Sequence, residues 1–119
     1  QTSQNRLIPL TGASLWACTQ LSGLITDGFL FPRYSNKSKC NSNTASNALN
    51  RWLKTFLPRG YVVHGFRHAM RDRLRTVECP VDMVDQIGGW SNQTIGQRYG
   101  SGYPLANLKE WMDKIVIDV

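Results

Sequence analysis

Acidic residues are scarce in the first 75 positions of this chain: Asp27 and Asp72 stand against eleven lysines and arginines. Long apolar runs are missing too, and with no stretch approaching the roughly 18 residues a bilayer helix needs, a helical membrane span is not expected. The amino-terminal residues lack a charged-then-apolar leader, so a secretory signal is not expected and the chain reads as intracellular and cytoplasmic. Cysteine is sparse, and Cys18, Cys40 and Cys79 are odd in number and far apart, which fits neither a disulfide framework nor the CxxC pairs of a zinc site. Reduced, mostly buried thiols are expected. The triplet Asn92-Gln93-Thr94 matches a glycosylation acceptor, but nothing else points to secretion.

What is present is basic charge, and it is placed unevenly. Eleven cations less two anions leave +9 through residue 75, and three cations less six anions leave −3 from residue 76 on, which together make the formal +6. Segregation of this kind, with a pI near 9.6, is the footprint of a face that meets a polyanion, because each neutralised phosphate releases condensed counterions. A length of 119 residues supports one domain with a modest helical core.

The hydrophobic pattern predicts a mainly α fold with a short β-strand or hairpin at the N-terminus. "RLIPL" (6–10) reads as the end of a strand, whose partner must come from elsewhere. Residues 13–24 read as a first helix, with Thr11 as a candidate cap and Leu15, Trp16, Cys18 and Leu21 close together along it. "SNKSKCNSNTASN" (35–47) is nearly free of apolar residues and reads as a polar, mobile loop. From Thr44, Ala45, Ala48, Leu49, Trp52, Leu53, Phe56 and Leu57 recur at three and four, a second helix that Pro58 and Gly60 end. A third helix over 66–77 carries Phe66, Ala69, Met70, Leu74 and Val77 on its apolar face. Pro80 opens a fourth, with Val81, Val84 and Ile87 inward and Asp82 and Asp85 outward, and "GGW" breaks it. Ser91 can cap a fifth helix over 92–99, "GSGYP" reads as a flexible joint, and a tail helix from Leu105 shows Leu105, Leu108, Trp111, Met112 and Ile115 along one stripe.

The segment "HGFRHAMRDRLR" (64–75) holds two histidines and four arginines against one acid. His64, Arg67, His68, Arg71 and Arg75 recur at three and four, so their side chains stack along one face of the helix. Like charges at that spacing repel and weaken the helix. The stripe is therefore read as a face for an anion.

A sharper reading comes from spacing. HxxR at His64 and Arg67 is followed by "GGWSNQTIGQRY", with Tyr99 nine residues after Trp90, and the chain resembles the tyrosine recombinases, the phage integrases and their Cre-like relatives. The match of order and spacing runs through nearly the whole chain, including "RLIPL", the short helix between the motifs and the tail helix. The resemblance implies the catalytic-core fold of DNA breaking-rejoining enzymes and site-specific DNA recombination through a 3′-phosphotyrosyl intermediate. Tyr99 is then the nucleophile, Arg67 and His64 hold the scissile phosphate, Trp90 donates its indole N–H to the same group, and Arg71 and Arg75 contact the DNA backbone. No metal or other cofactor is implied, because the phosphotyrosyl ester keeps the energy of the broken bond. The implied partner is a double-stranded DNA attachment site, with a homotetramer on DNA and the tail after Tyr103 docked on a neighbouring protomer.

The family also uses an upstream arginine and a hairpin lysine that this chain lacks; its first lysine is Lys37. The resemblance thus implies that residues 1–119 are the C-terminal portion of a catalytic domain, with 104–119 its tail helix, and that this portion alone is inactive. Type IB topoisomerases share the chemistry but not the "GGW" spacing. The main rival is a non-catalytic helical module that only grips DNA. A zinc site from His64, His68 and Cys79 is a further rival, and it has neither an HExxH glutamate nor a fourth ligand at suitable spacing.

Overall fold

The computed structural model describes residues 6–25, 28–90 and 102–117. Among these, five helices carry the architecture: α1 (Gly12–Ser22), α2 (Ser42–Leu53), α3 (Gly65–Thr76), α4 (Val81–Gly88) and α5 (Leu105–Asp113). The mainly α expectation holds. The N-terminal strand does not: residues 6–10 are irregular, and the β pairing among the described residues is an isolated antiparallel bridge between Ser35 and Cys40. A strand needs a partner for its N–H and C=O groups, none lies alongside 6–10 among the described residues, and Pro9 has no N–H to offer. Ile8 packs on the core instead, and Pro9 is buried.

The chain divides into two compact units, residues 1–15 with 69–119, and residues 16–68. The first holds the main core. Leu74 from α3, Cys79 from the following turn, Met83, Val84 and Ile87 from α4, and Leu108 and Met112 from α5 are buried together, with Ile8, Met70, Trp90, Tyr103, Trp111 and Ile115 packed around them. Of the α5 stripe expected to dock on a neighbouring protomer, Leu108 and Met112 are buried by their own chain, Trp111 and Ile115 are partly buried, and Leu105 is exposed. Leu108 and Met112 find the matching apolar faces of α3 and α4, and burial in cis removes that surface from water without a partner.

Local chemistry explains where α3 and α4 end. After α3 the Cys79 N–H reaches the Leu74 carbonyl at 3.0 Å and the Glu78 N–H reaches that of Arg75 at 2.9 Å, with Glu78 left-handed at φ 63°. This is a Schellman cap, and its usual apolar contact is made here by Leu74 and Cys79 in the core. In α4, Met83 joins Val84 and Ile87 inside, while Val81, in the first turn, takes no part in the cluster and is exposed. Asp85 was expected outward and is buried at 5 % exposure, on the stretch of helix that packs most closely. Gly89, left-handed at φ 68°, closes the helix with its N–H on the Asp85 carbonyl.

The second unit departs more from the pattern. The polar stretch expected to be mobile is ordered by Asn36, whose Oδ1 accepts from the Ser38 and Lys39 N–H groups at 2.9 Å and from the Ser38 hydroxyl at 2.8 Å. Such an Asx turn folds a short polar segment without a core. Its second half belongs to α2, which starts at Ser42 rather than Thr44. The helix also stops at Leu53, earlier than the periodicity implies: the chain runs on in turns, in which the Thr55 hydroxyl donates to the Trp52 carbonyl at 2.7 Å and the Leu57 N–H reaches the Leu53 carbonyl at 2.9 Å. Leu53 is buried, whereas Leu49, Trp52 and Phe56 are exposed, with the last two in edge-to-face contact at 4.8 Å. No helix among the described residues is long and apolar enough to cross a membrane.

Candidate functional site

His64 enters α3 from a tight turn, in which the N–H groups of Gly65, Phe66 and Arg67 point back to the carbonyls of Val62, Val63 and His64. That turn is pinned from α2: Asn50 Oδ1 accepts the Val63 N–H at 2.8 Å. The spacing of apolar residues does not single out Asn50, since a bond spanning thirteen residues leaves no local signal. The anchored turn fixes where the His64 backbone starts.

Along α3 the stripe is not uniform. His64 and His68 are both exposed, with ring centroids 5.0 Å apart and edge-to-face. Arg67 is half-buried and engaged, and Arg75 is exposed. Arg71 is half-buried and turned to Trp90, its guanidinium carbon 5.0 Å from the ring centroid. Phe66, assigned inward, is exposed, because α3 meets the core only from Met70 on. Arg73, which the pattern did not single out, donates to the Ile115 carbonyl and so ties α3 to the chain beyond α5.

Trp90 follows the break in α4, its N–H on the Asp85 carbonyl at 3.0 Å. The two glycines before it have separate jobs. A Cβ at Gly88 would lie 1.7 Å from the Trp90 ring, so only glycine lets the indole pack there, while Gly89 supplies the left-handed cap. The Arg6 guanidinium rests against Gly89, where a Cβ would be 2.3 Å away.

The residues beyond 101 are moored to α4. Gln86 holds the Tyr103 backbone at two points, accepting its N–H at 2.8 Å and donating to its carbonyl at 3.1 Å, and Asp82 accepts the Tyr103 hydroxyl at 2.8 Å. The expected flexible joint is therefore fixed at Gly102 and Tyr103. The bond to Asp82 raises the Tyr103 pKa, with burial and the nearby carboxylate charge adding to it. Cys79 is also raised, chiefly by burial and then by Asp82, against an opposing pull from Lys114. It stays a core thiol, and no group of three His, Cys, Asp or Glu side chains gathers among the described residues.

Tyr99 and the helix expected over 92–99 lie outside the described residues. Of the other predicted site residues, His64 and Arg67 belong to one compact unit, and Arg71, Arg75 and Trp90 to the other. Within the unit that holds residues 69–119, Arg71 and Trp90 are brought together, and Arg75 stands apart in solvent. No family model, curated protein or solved structure matches the chain.

Proposed function

We infer that this chain belongs to the catalytic domain of a tyrosine recombinase of the integrase type, acting on double-stranded DNA attachment sites. The observation that carries the reading is the ordered set of His64 and Arg67, the Gly88-Gly89-Trp90 turn, and Tyr99 nine residues on. The fold supports it in two ways. His64 and Arg67 sit at the very start of a helix, which gives an imidazole and a guanidinium one turn apart at its end. Trp90 stands immediately past a short helix, held by the turn that the paired glycines make possible.

In this reading the Tyr99 oxygen attacks the scissile phosphorus, a 3′-phosphotyrosyl ester forms, and the 5′-oxygen departs with a proton. A phenol with an ordinary pKa of about 10 is a weak nucleophile near neutrality, so neighbouring cations and a proton acceptor must assist. Arg67 grips the non-bridging oxygens in bidentate fashion and meets the charge that grows in the transition state. His64 bonds the same phosphate and helps move the proton, and the Trp90 indole N–H supplies a further donor. Exposed Arg75 contacts the backbone. Rejoining reverses the step with a new 5′-hydroxyl, in an assembly of four protomers on DNA.

The test is a nicked duplex that traps the covalent intermediate, offered to the complete protein that carries this domain. The intact protein should give an SDS-resistant protein–DNA complex, and Tyr99→Phe should abolish it while DNA affinity stays within about twofold. Duplex binding with no covalent complex in either form would reject the enzyme in favour of a helical DNA-binding module.

A further inference from the structure

Arg71 behaves unlike the rest of its stripe. Its Nε is shut off from solvent with no hydrogen-bond partner among the described residues, and its guanidinium lies over the Trp90 ring. Burying an N–H without an acceptor is unfavourable. The compensation on view is the aromatic ring, whose negative face attracts a cation most strongly where water is excluded. Arg75, one turn further along α3, is exposed and free to meet an incoming phosphate. The indole is held by a second contact as well, since its ring occupies the space that a side chain at Gly88 would need, and its backbone N–H is fixed on Asp85.

We propose that Arg71 is a positioning residue for Trp90: it sets the direction of the indole N–H and does not itself contact DNA. The role rests on the recombinase reading for its purpose, since an indole aimed at a phosphate matters only if one arrives. It rests on geometry alone for its substance. A guanidinium resting on the ring restricts how the side chain can turn, and a donor held in advance costs no reorganisation when charge develops.

Two measurements on the full chain decide it. In the first, the Trp90 indole N–H resonance, assigned by its loss in Trp90→Phe, is followed in the free protein. Arg71→Ala should shift that resonance and speed its exchange with solvent, whereas Arg71→Lys, which keeps a cation over the ring, should restore most of both. Methyl resonances of Leu74 and Leu108 report whether the core survives, and Arg71→Met, which keeps the aliphatic stem, replaces the alanine variant if it does not. An unmoved indole in a folded variant overturns the proposal.

In the second, affinity for duplex DNA is measured against salt. Each phosphate contact contributes about 0.9 to the slope of log affinity on log salt. Arg75→Ala should lose about that much, and Arg71→Ala should keep the wild-type slope. A slope lowered as far by Arg71→Ala as by Arg75→Ala makes Arg71 a DNA contact and refutes its assignment. A chain that binds no duplex DNA removes the recombinase reading, and the resonance experiment then decides the Arg71–Trp90 coupling by itself.

Discussion

Truncating Leu108 to alanine tests how the tail helix is held. Leu108 is 1 % exposed and is buried with Leu74, Met83, Ile87 and Met112. The change removes three carbons, worth about 2.4 kcal/mol of lost transfer at roughly 0.8 kcal/mol each. The cavity left behind brings the cost to about 2–5 kcal/mol. With a urea slope of about 1–1.5 kcal/mol per molar, a loss near 3 kcal/mol lowers the midpoint by about 2–3 M. The assay is equilibrium unfolding in urea followed by circular dichroism, at two protein concentrations tenfold apart. Leu105→Ala is the control, since that side chain is 46 % exposed and its loss should stay within about 0.5 kcal/mol. Because the atoms that cover Leu108 belong to the same chain, the effect must not depend on concentration. A loss under about 1 kcal/mol, or one that varies with protein concentration, would show that α5 is covered by another protomer and that the core is wrongly drawn.

Two more outcomes follow from local geometry. Glu78 holds a left-handed conformation at φ 63° in the cap of α3, which a residue with a Cβ occupies at a cost of about 1–2 kcal/mol; part of that is offset by the greater freedom of an unfolded glycine, so Glu78→Gly should raise the melting temperature, and an unchanged or lower value would contradict the Schellman assignment. The Tyr103 phenol donates to Asp82, which lifts its pKa above the ordinary 10.0. Above pH 10 the unfolded chain therefore gives up this proton while the folded one keeps it, so stability falls as pH rises through that range. Tyr103→Phe should flatten the decline. The same slope in the variant would refute the bond to Asp82, with the buried thiol of Cys79, raised from its ordinary 9.0, acting in the same direction and left in place as the common background.

The helices were legible because their signals are local. The recurrence of Met70, Leu74 and Val77 at three and four, Pro80 ahead of α4 and the glycine break behind it act within a few residues, and the elements appear close to where those signals put them. The errors fall where a distant group or a competing side chain intervenes. Asp85 looked like a solvent-facing acid, yet helical position cannot say which flank the rest of the chain will cover. Phe66 and Trp52 looked like core and are exposed, since periodicity shows that a helix has an apolar face but not which part of that face the rest of the chain covers. The Asn36 turn replaced mobility with order through three hydrogen bonds to one side-chain oxygen. Among candidate site residues, the identities came from spacing alone, whereas the jobs of Asn50, Arg73 and Gln86 were invisible to it, because each bonds to a backbone group far along the chain.

By itself the sequence determined the helical class, the segregation of positive charge toward the first 75 residues and the order of histidine, arginine, tryptophan and tyrosine, since composition and spacing are properties of the chain before it folds. The tertiary structure decided which apolar faces meet, that Leu108 and Met112 of α5 close on their own chain's core, and that Arg71 lies over the Trp90 ring while Arg75 faces water. Two arginines four residues apart on one helix are equivalent as letters. They part company because the environment across from each is supplied by Trp90 for one and by solvent for the other, and only folding brings that environment near.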